Sequence, residues 1–153
     1  MERVARVLRS TGVAPARLEL EITESALLPA PEESCAKLYA LRALGVSLAL
    51  DDFGTGFSSL THLRLFPVET LKIDKSFIEN IPGKDNAIVD SLIRFAQSLN
   101  MKVVAEGVET TGQRDYLGDC GCEIVQGYFY SRPLSERAAL SFLDDAGKGA
   151  GDV

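Results

Sequence analysis

The residues best suited to chemistry in this sequence are carboxylates that recur just after short aliphatic runs: Glu21 with Glu24, the adjacent Asp51 and Asp52, and Glu106 with Glu109. Lys72 and Asp74 close a further run, and Gln126 follows another. If these positions meet, the acids Glu21, Asp51, Asp52, Glu106 and Glu109 face a single ammonium, that of Lys72. Carboxylates crowded into one cleft cannot all stay ionised unless protons or cations neutralise them. Oxygen donors with no histidine or cysteine beside them select hard divalent ions, Mg2+ or Mn2+, over zinc. Such ions handle phosphate. A metal pair ~3.5–4 Å apart can bridge one carboxylate, activate a water and clamp a phosphoryl oxygen during in-line displacement. Lys72, set among the acids, is suited to holding that water or a phosphoryl oxygen, and Asp74 falls on the same face by period two.

Acids so far apart in the chain meet only if the elements between them fold back repeatedly. Helical spacing of Val4, Val7 and Leu8 predicts a helix over 2–10, stopped at Gly12. A strand over 18–22, a helix over 31–44 between Pro31 and Gly45, and a strand over 46–50 follow. Two aspartates and two glycines make 51–56 a loop, leading to a short helix over 58–65. Then come a strand over 70–73 and an amphipathic helix over 86–99 carrying Ile88, Leu92, Ile93, Phe95 and Ala96. A strand over 102–105, a helix around 113–117, a strand near 124–125 and a helix over 135–143 complete one domain, residues 1–146. The glycine-rich tail, 147–153, is expected to be disordered.

Strands each followed by a helix, with no hairpin signal between them, are expected to be parallel. Their carboxyl ends then share one face, where parallel β/α folds place active sites. A closed eight-stranded β/α barrel takes ~250 residues, so this chain is expected to form about five strands of such a barrel. An open doubly wound sheet would carry a glycine fingerprint after its first strand, and Glu21-Ile22-Thr23-Glu24-Ser25 is not one. An Asp at position 51 could also be a helix cap and nothing more, as could each acid taken singly. The Asp52-Phe53-Gly54 triplet is not a kinase signature, because the other kinase elements are missing. Cys120-Gly121-Cys122 has no second cysteine pair, and the one histidine, His62, belongs to another unit, so a structural role is expected for the cysteines and a solvated helix for His62. Tyr128, Phe129 and Tyr130 could stack on a base or pack at the edge of the core.

Composition narrows the class. With 153 residues, 46% apolar and 25% charged, the chain can build a globular core. Its net charge of −6 argues against binding a DNA or RNA polymer. No apolar run approaches a bilayer span, so no membrane contact is expected of this segment. An odd set of three cysteines and no secretory leader point to the cytoplasm.

Five stretches together resemble the motifs of the EAL domain family: 21–25, Asp51-Asp52-Phe53-Gly54-Thr55-Gly56-Phe57-Ser58-Ser59-Leu60, Leu71-Lys72-Ile73-Asp74, Val104-Ala105-Glu106-Gly107-Val108-Glu109, and Gln126-Gly127-Tyr128. They stand in the family's order. The resemblance implies a β/α barrel that uses two Mg2+ or Mn2+ ions to hydrolyse cyclic di-GMP to linear pGpG, commonly as a homodimer. By position, Glu21, Asp51 and Asp52 resemble metal ligands and Glu109 a contributor to the second metal. Lys72 resembles the residue that holds the catalytic water, Glu106 a catalytic acid assigned as general base or ligand, and Gln126 a residue contacting the site. Asp74 belongs to the Lys72 motif and is expected on its substrate side. Glu24 resembles the acid that anchors the 51–59 loop, which in the family couples the site to the dimer interface. The Glu-Ala-Leu segment that names the family, and the asparagine ligand on the strand after it, are absent here. Both lie in the first part of the domain, so this chain is expected to be its C-terminal portion. The alternative function is a non-catalytic module of the same type that binds cyclic di-GMP or a protein partner.

Overall fold

Alternation along the strands decides the architecture. One side of each carries aliphatic residues, Leu20 and Ile22, Leu48 and Leu50, Leu71 and Ile73, then Val103 and Ala105, and these pack beneath the helices. The opposite side carries Glu19, Glu21, Thr70, Lys72 and Lys102 and faces a hollow of about 390 Å3. Side chains two residues apart share a face of a strand, so one sheet presents an apolar and a polar surface.

The computed structural model describes residues 2–27, 30–54 and 65–149. In chain order the elements are α1 (Glu2–Thr11), a 3-10 turn (Pro15–Arg17), β1 (Glu19–Thr23), α2 (Glu24–Leu27), α3 (Pro31–Arg42), β2 (Ser47–Phe53), β3 (Thr70–Ile73), α4 (Lys75–Ile78), α5 (Asn86–Ser98), β4 (Lys102–Glu106), α6 (Thr111–Asp119), β5 (Ile124–Gln126) and α7 (Glu136–Gly149). The strands pair in sequence order, β1-β2-β3-β4-β5, and every pairing is parallel. Sequential order with helices against one face is the plan of a β/α barrel; a doubly wound sheet reverses order at a switch point and buries both faces. The fold is five consecutive strands of a TIM-type barrel, with β1 and β5 at the two edges. Among the described residues, no helix is long and apolar enough to cross a membrane.

Several expectations need correction. The strand expected to end at Leu50 runs to Phe53, so Asp51 and Asp52 are strand residues and not loop. On α5 the buried stripe is Val89, Ile93 and Ala96, whereas Ile88 is 45% exposed. Ile93, Ala96, Leu92 and Phe95 lie in or against the core as expected, and packing against β3 and β4 puts Val89 there in place of Ile88. The last helix runs past Gly147 to Gly149. The expected helix over 58–65, His62 within it and residues 150–153 lie outside the described residues, except for Leu65.

Candidate active site

Lys72 lies on the central strand, and its Nζ is the point on which three neighbouring strands converge. It stands 2.8 Å from Glu21 Oε2 on β1, 3.0 Å from Asp51 Oδ1 on β2 and 2.7 Å from Glu106 Oε1 on β4. The Lys72 side chain is 6% exposed, against 50% for Glu21. Burial pushes its ammonium toward the neutral form, but the contacts with Glu106, Glu21 and Asp51 outweigh burial and hold its pKa above the ordinary lysine value. It stays a cation, paired with more negative charge than it can cancel.

Asp52 joins this group through a distortion of β2. Neighbouring residues of a regular strand point to opposite faces, so Asp51 and Asp52 cannot both reach the mouth without a break between them. The register of β2 against β3 shifts between Leu50 and Phe53, and Asp52 adopts φ +55°, the left-handed region. Carboxylate oxygens of Asp51, Asp52 and Glu106 consequently lie within 4.8 Å of one another. Gly54, φ +96°, ends the strand against the Phe77 ring. Its N–H donates to Glu24 Oε2 at 3.2 Å, and Glu24, only 3% exposed, thereby holds the start of the segment after β2.

This donor set fits a hard divalent cation. Like unit charges about 5 Å apart repel by roughly 3 kcal/mol at an effective dielectric of ~20, and Lys72 offsets only part of that. Asp51 Oδ1 is buried, its close neighbour is the Lys72 ammonium at 3.0 Å, and among the described residues it has no further hydrogen-bond partner. A carboxylate oxygen has two lone pairs, so beside the Lys72 ammonium it can still take a metal ion. Every donor is oxygen, as Mg2+ and Mn2+ require.

Beside the cluster opens a cleft of about 370 Å3 lined by Asp52, Asp74, Glu106, Glu109, Gln126 and Tyr128. Asp74 has two roles in the geometry: it lines the cleft, and its Oδ1 accepts from Ser76 N at 3.0 Å as the N-cap of α4. Burial raises its pKa, but the bonds from Ser76 prevail and hold the carboxyl below the usual range. Gln126, at the end of β5, stands in register with Glu106. The next residue must be glycine for space: a Cβ on Gly127 would collide with the Val108 backbone. The aromatic trio divides. Phe129 packs on the core, whereas Tyr128 is half exposed at the cleft with the Arg132 guanidinium 4.7 Å from its ring centre.

The cysteines stand apart from this mouth. Cys122 is buried, and Cys120 Sγ donates to Asp90 Oδ1 at 3.0 Å, beside the Tyr116 hydroxyl on the same oxygen at 2.7 Å. Burial, then the Asp90 contact, push the Cys120 thiol up to about 11, so it serves as a protonated structural donor. The residue that sequence reasoning missed is Gln113, which binds the backbone of Glu109. Its signal was present as Thr110-Thr111-Gly112-Gln113, the spacing of a capping box.

Comparison with known proteins agrees with this geometry. The EAL domain family model matches residues 1–133. The cyclic di-GMP phosphodiesterase NbdA of Pseudomonas aeruginosa is 48% identical over 145 residues, which cover 94% of this chain and 18% of NbdA. The crystal structure of the EAL domain of Mycobacterium smegmatis DcpA matches with a TM-score of 0.89 at 37% identity, over 94% of this chain and 66% of that one. Klebsiella pneumoniae BlrP1, solved with manganese and cyclic di-GMP, matches with a TM-score of 0.80 at 34% identity, over 86% of this chain and 34% of that one. The chain thus spans about a fifth of NbdA and less than two thirds of either solved chain.

Proposed function

This chain belongs to the EAL domain family, and we propose that it carries the catalytic face of a metal-dependent phosphodiesterase that opens cyclic di-GMP to linear pGpG. The observation that carries this reading is the convergence of Glu21, Asp51 and Glu106 on Lys72, with Asp52 turned in beside them. Glu21, Asp51 and Asp52 would hold one Mg2+ or Mn2+, with Glu109 contributing to a second. Bound there, such ions polarise the phosphodiester and make a water acidic enough to attack at neutral pH.

The protein's own groups do the rest. Lys72 orients the attacking water and offsets charge building on the phosphoryl oxygens. Glu106, within 2.7 Å of that ammonium, takes the proton as the water oxygen bonds to phosphorus. One ester P–O bond breaks, the departing ribose oxygen takes a proton from water, and Glu106 returns the proton it took to solvent, so that the net change is one water added across the bond. Asp74, Gln126 and Tyr128 line the space beside the reacting group and orient the dinucleotide. Glu24 holds Gly54 at the end of β2, and the reaction belongs to cytoplasmic signalling by a homodimer. The reading takes further β/α units, with the family's Glu-Ala-Leu glutamate and its asparagine, as the rest of the metal site.

Chromatographic assay of cyclic di-GMP with Mn2+ tests it, on the chain alone and on the chain joined to those units. Turnover to pGpG in the joined form, lost on chelation and reduced at least ~10²-fold by Asp51→Asn, is the expected result. Binding by calorimetry without turnover would replace it with a cyclic di-GMP-binding module.

A further inference from the structure

We propose that Gln113 is a positioning residue that fixes Glu109 and its loop for metal binding by tying the loop after β4 to α4. The inference rests on the reading of the acidic mouth as a divalent-metal site. Gln113 is 6% exposed, and both ends of its side-chain amide are engaged. Oε1 accepts from the N–H of Glu109 at 2.8 Å and from that of Thr110 at 3.0 Å, while Nε2 donates to the Ile78 carbonyl at 3.0 Å.

Capping alone explains only part of this. A glutamine at the third position of a helix completes a capping box by binding the cap residue's own N–H, here Thr110. The other two bonds add something else: one fixes the peptide of Glu109, and one joins that peptide to the last residue of α4, the helix whose cap is Asp74. The two segments already touch, since a Cβ on Gly107 would stand 2.5 Å from the Lys75 Cβ. Contact sets their spacing but not their register. Gln113 supplies the register, and with it the placement of Glu109 relative to Glu106 and Asp52 across one cleft. Removing a group that orients a metal ligand typically lowers metal affinity 10–100-fold.

The test compares Gln113→Met with Thr110→Ala in the full chain. Thr110→Ala removes the Oγ1 acceptor that binds Gln113 N at 3.2 Å, so it weakens the cap and leaves the Glu109 tie. Amide exchange at Glu109 and Mn2+ binding followed by electron paramagnetic resonance are the measurements. Gln113→Met should speed exchange at Glu109 and weaken Mn2+ binding about tenfold or more; Thr110→Ala should lower the melting temperature with Mn2+ affinity unchanged. Unaltered exchange and Mn2+ affinity in Gln113→Met, with a loss of stability like that of Thr110→Ala, would overturn the inference alone. If the unsubstituted chain binds no Mn2+ even when joined to the further β/α units, the reading of the mouth fails, whereas the exchange data still report whether the tie exists.

Discussion

Lys72 holds an unusual position for a lysine: an almost fully buried ammonium shared among carboxylates of three strands. Removing the cation of a buried ion pair strands the opposite charge, at about 3–5 kcal/mol when the partner is fully buried. Here the partners keep some water, Glu21 being half exposed and Asp51 and Glu106 about one fifth. The loss is correspondingly smaller. Lys72→Met should destabilise the metal-free protein by roughly 1–3 kcal/mol, a fall in Tm of about 3–10 °C for a domain of this size. Added Mn2+ should then raise the Tm of the variant more than that of the parent, because the ion alone must neutralise Asp51 and Glu106. Scanning fluorimetry with and without Mn2+ checks both statements. An unchanged Tm would mean that water, and not Lys72, solvates those acids.

At the scale of elements, the mouth is shaped by backbone features that leave faint marks in sequence. The need for a break between Asp51 and Asp52 was legible from period two, but its form was not: glycines downstream suggested a loop, and the chain instead uses a bulge with Asp52 itself at positive φ. Aspartate tolerates that conformation better than most residues, so nothing in residue type alone distinguished bulge from loop. On α5 the period and most of the stripe were legible, but Ile88 and Val89 are equally apolar and only the partner strands choose between them. Gly127 shows the same limit. Its φ is not in the left-handed region, and the reason for glycine is the Val108 backbone against it, a contact between loops of two different units. Gly127→Ala should therefore cost roughly 3 kcal/mol through forced separation of those loops. Gly12→Ala, at φ +70° with nothing within 4 Å, should cost only ~1 kcal/mol of backbone strain. Urea titrations of the two variants with a common m-value order these effects, and equal losses would refute the steric account of Gly127.

The whole molecule was the most legible level, since alternating β and α signals require parallel strands and parallel strands bring Glu21, Asp51, Lys72, Glu106 and Gln126 to one end. That inference needs no loop geometry. The same topology has a consequence for stability. β3 is flanked on both sides and all four of its residues are buried, whereas β1 and β5 each pair with a single neighbour and β5 has exposed residues at both ends. Local opening is easiest where backbone hydrogen bonds are few and water is near. Amides of Leu71, Lys72 and Ile73 should thus exchange only through global unfolding, and those of β1 and β5 orders of magnitude faster, in hydrogen exchange followed by mass spectrometry. The gradient also reads closure. In a complete barrel the outer edges of β1 and β5 have partners, so if further β/α units are joined to this chain to close a barrel, protection at the two edges should rise toward that of β3 while β3 itself gains only what global stability adds. Edges already as protected as β3 in the chain alone would show that a second copy occupies them, and the concentration dependence of that protection would identify it.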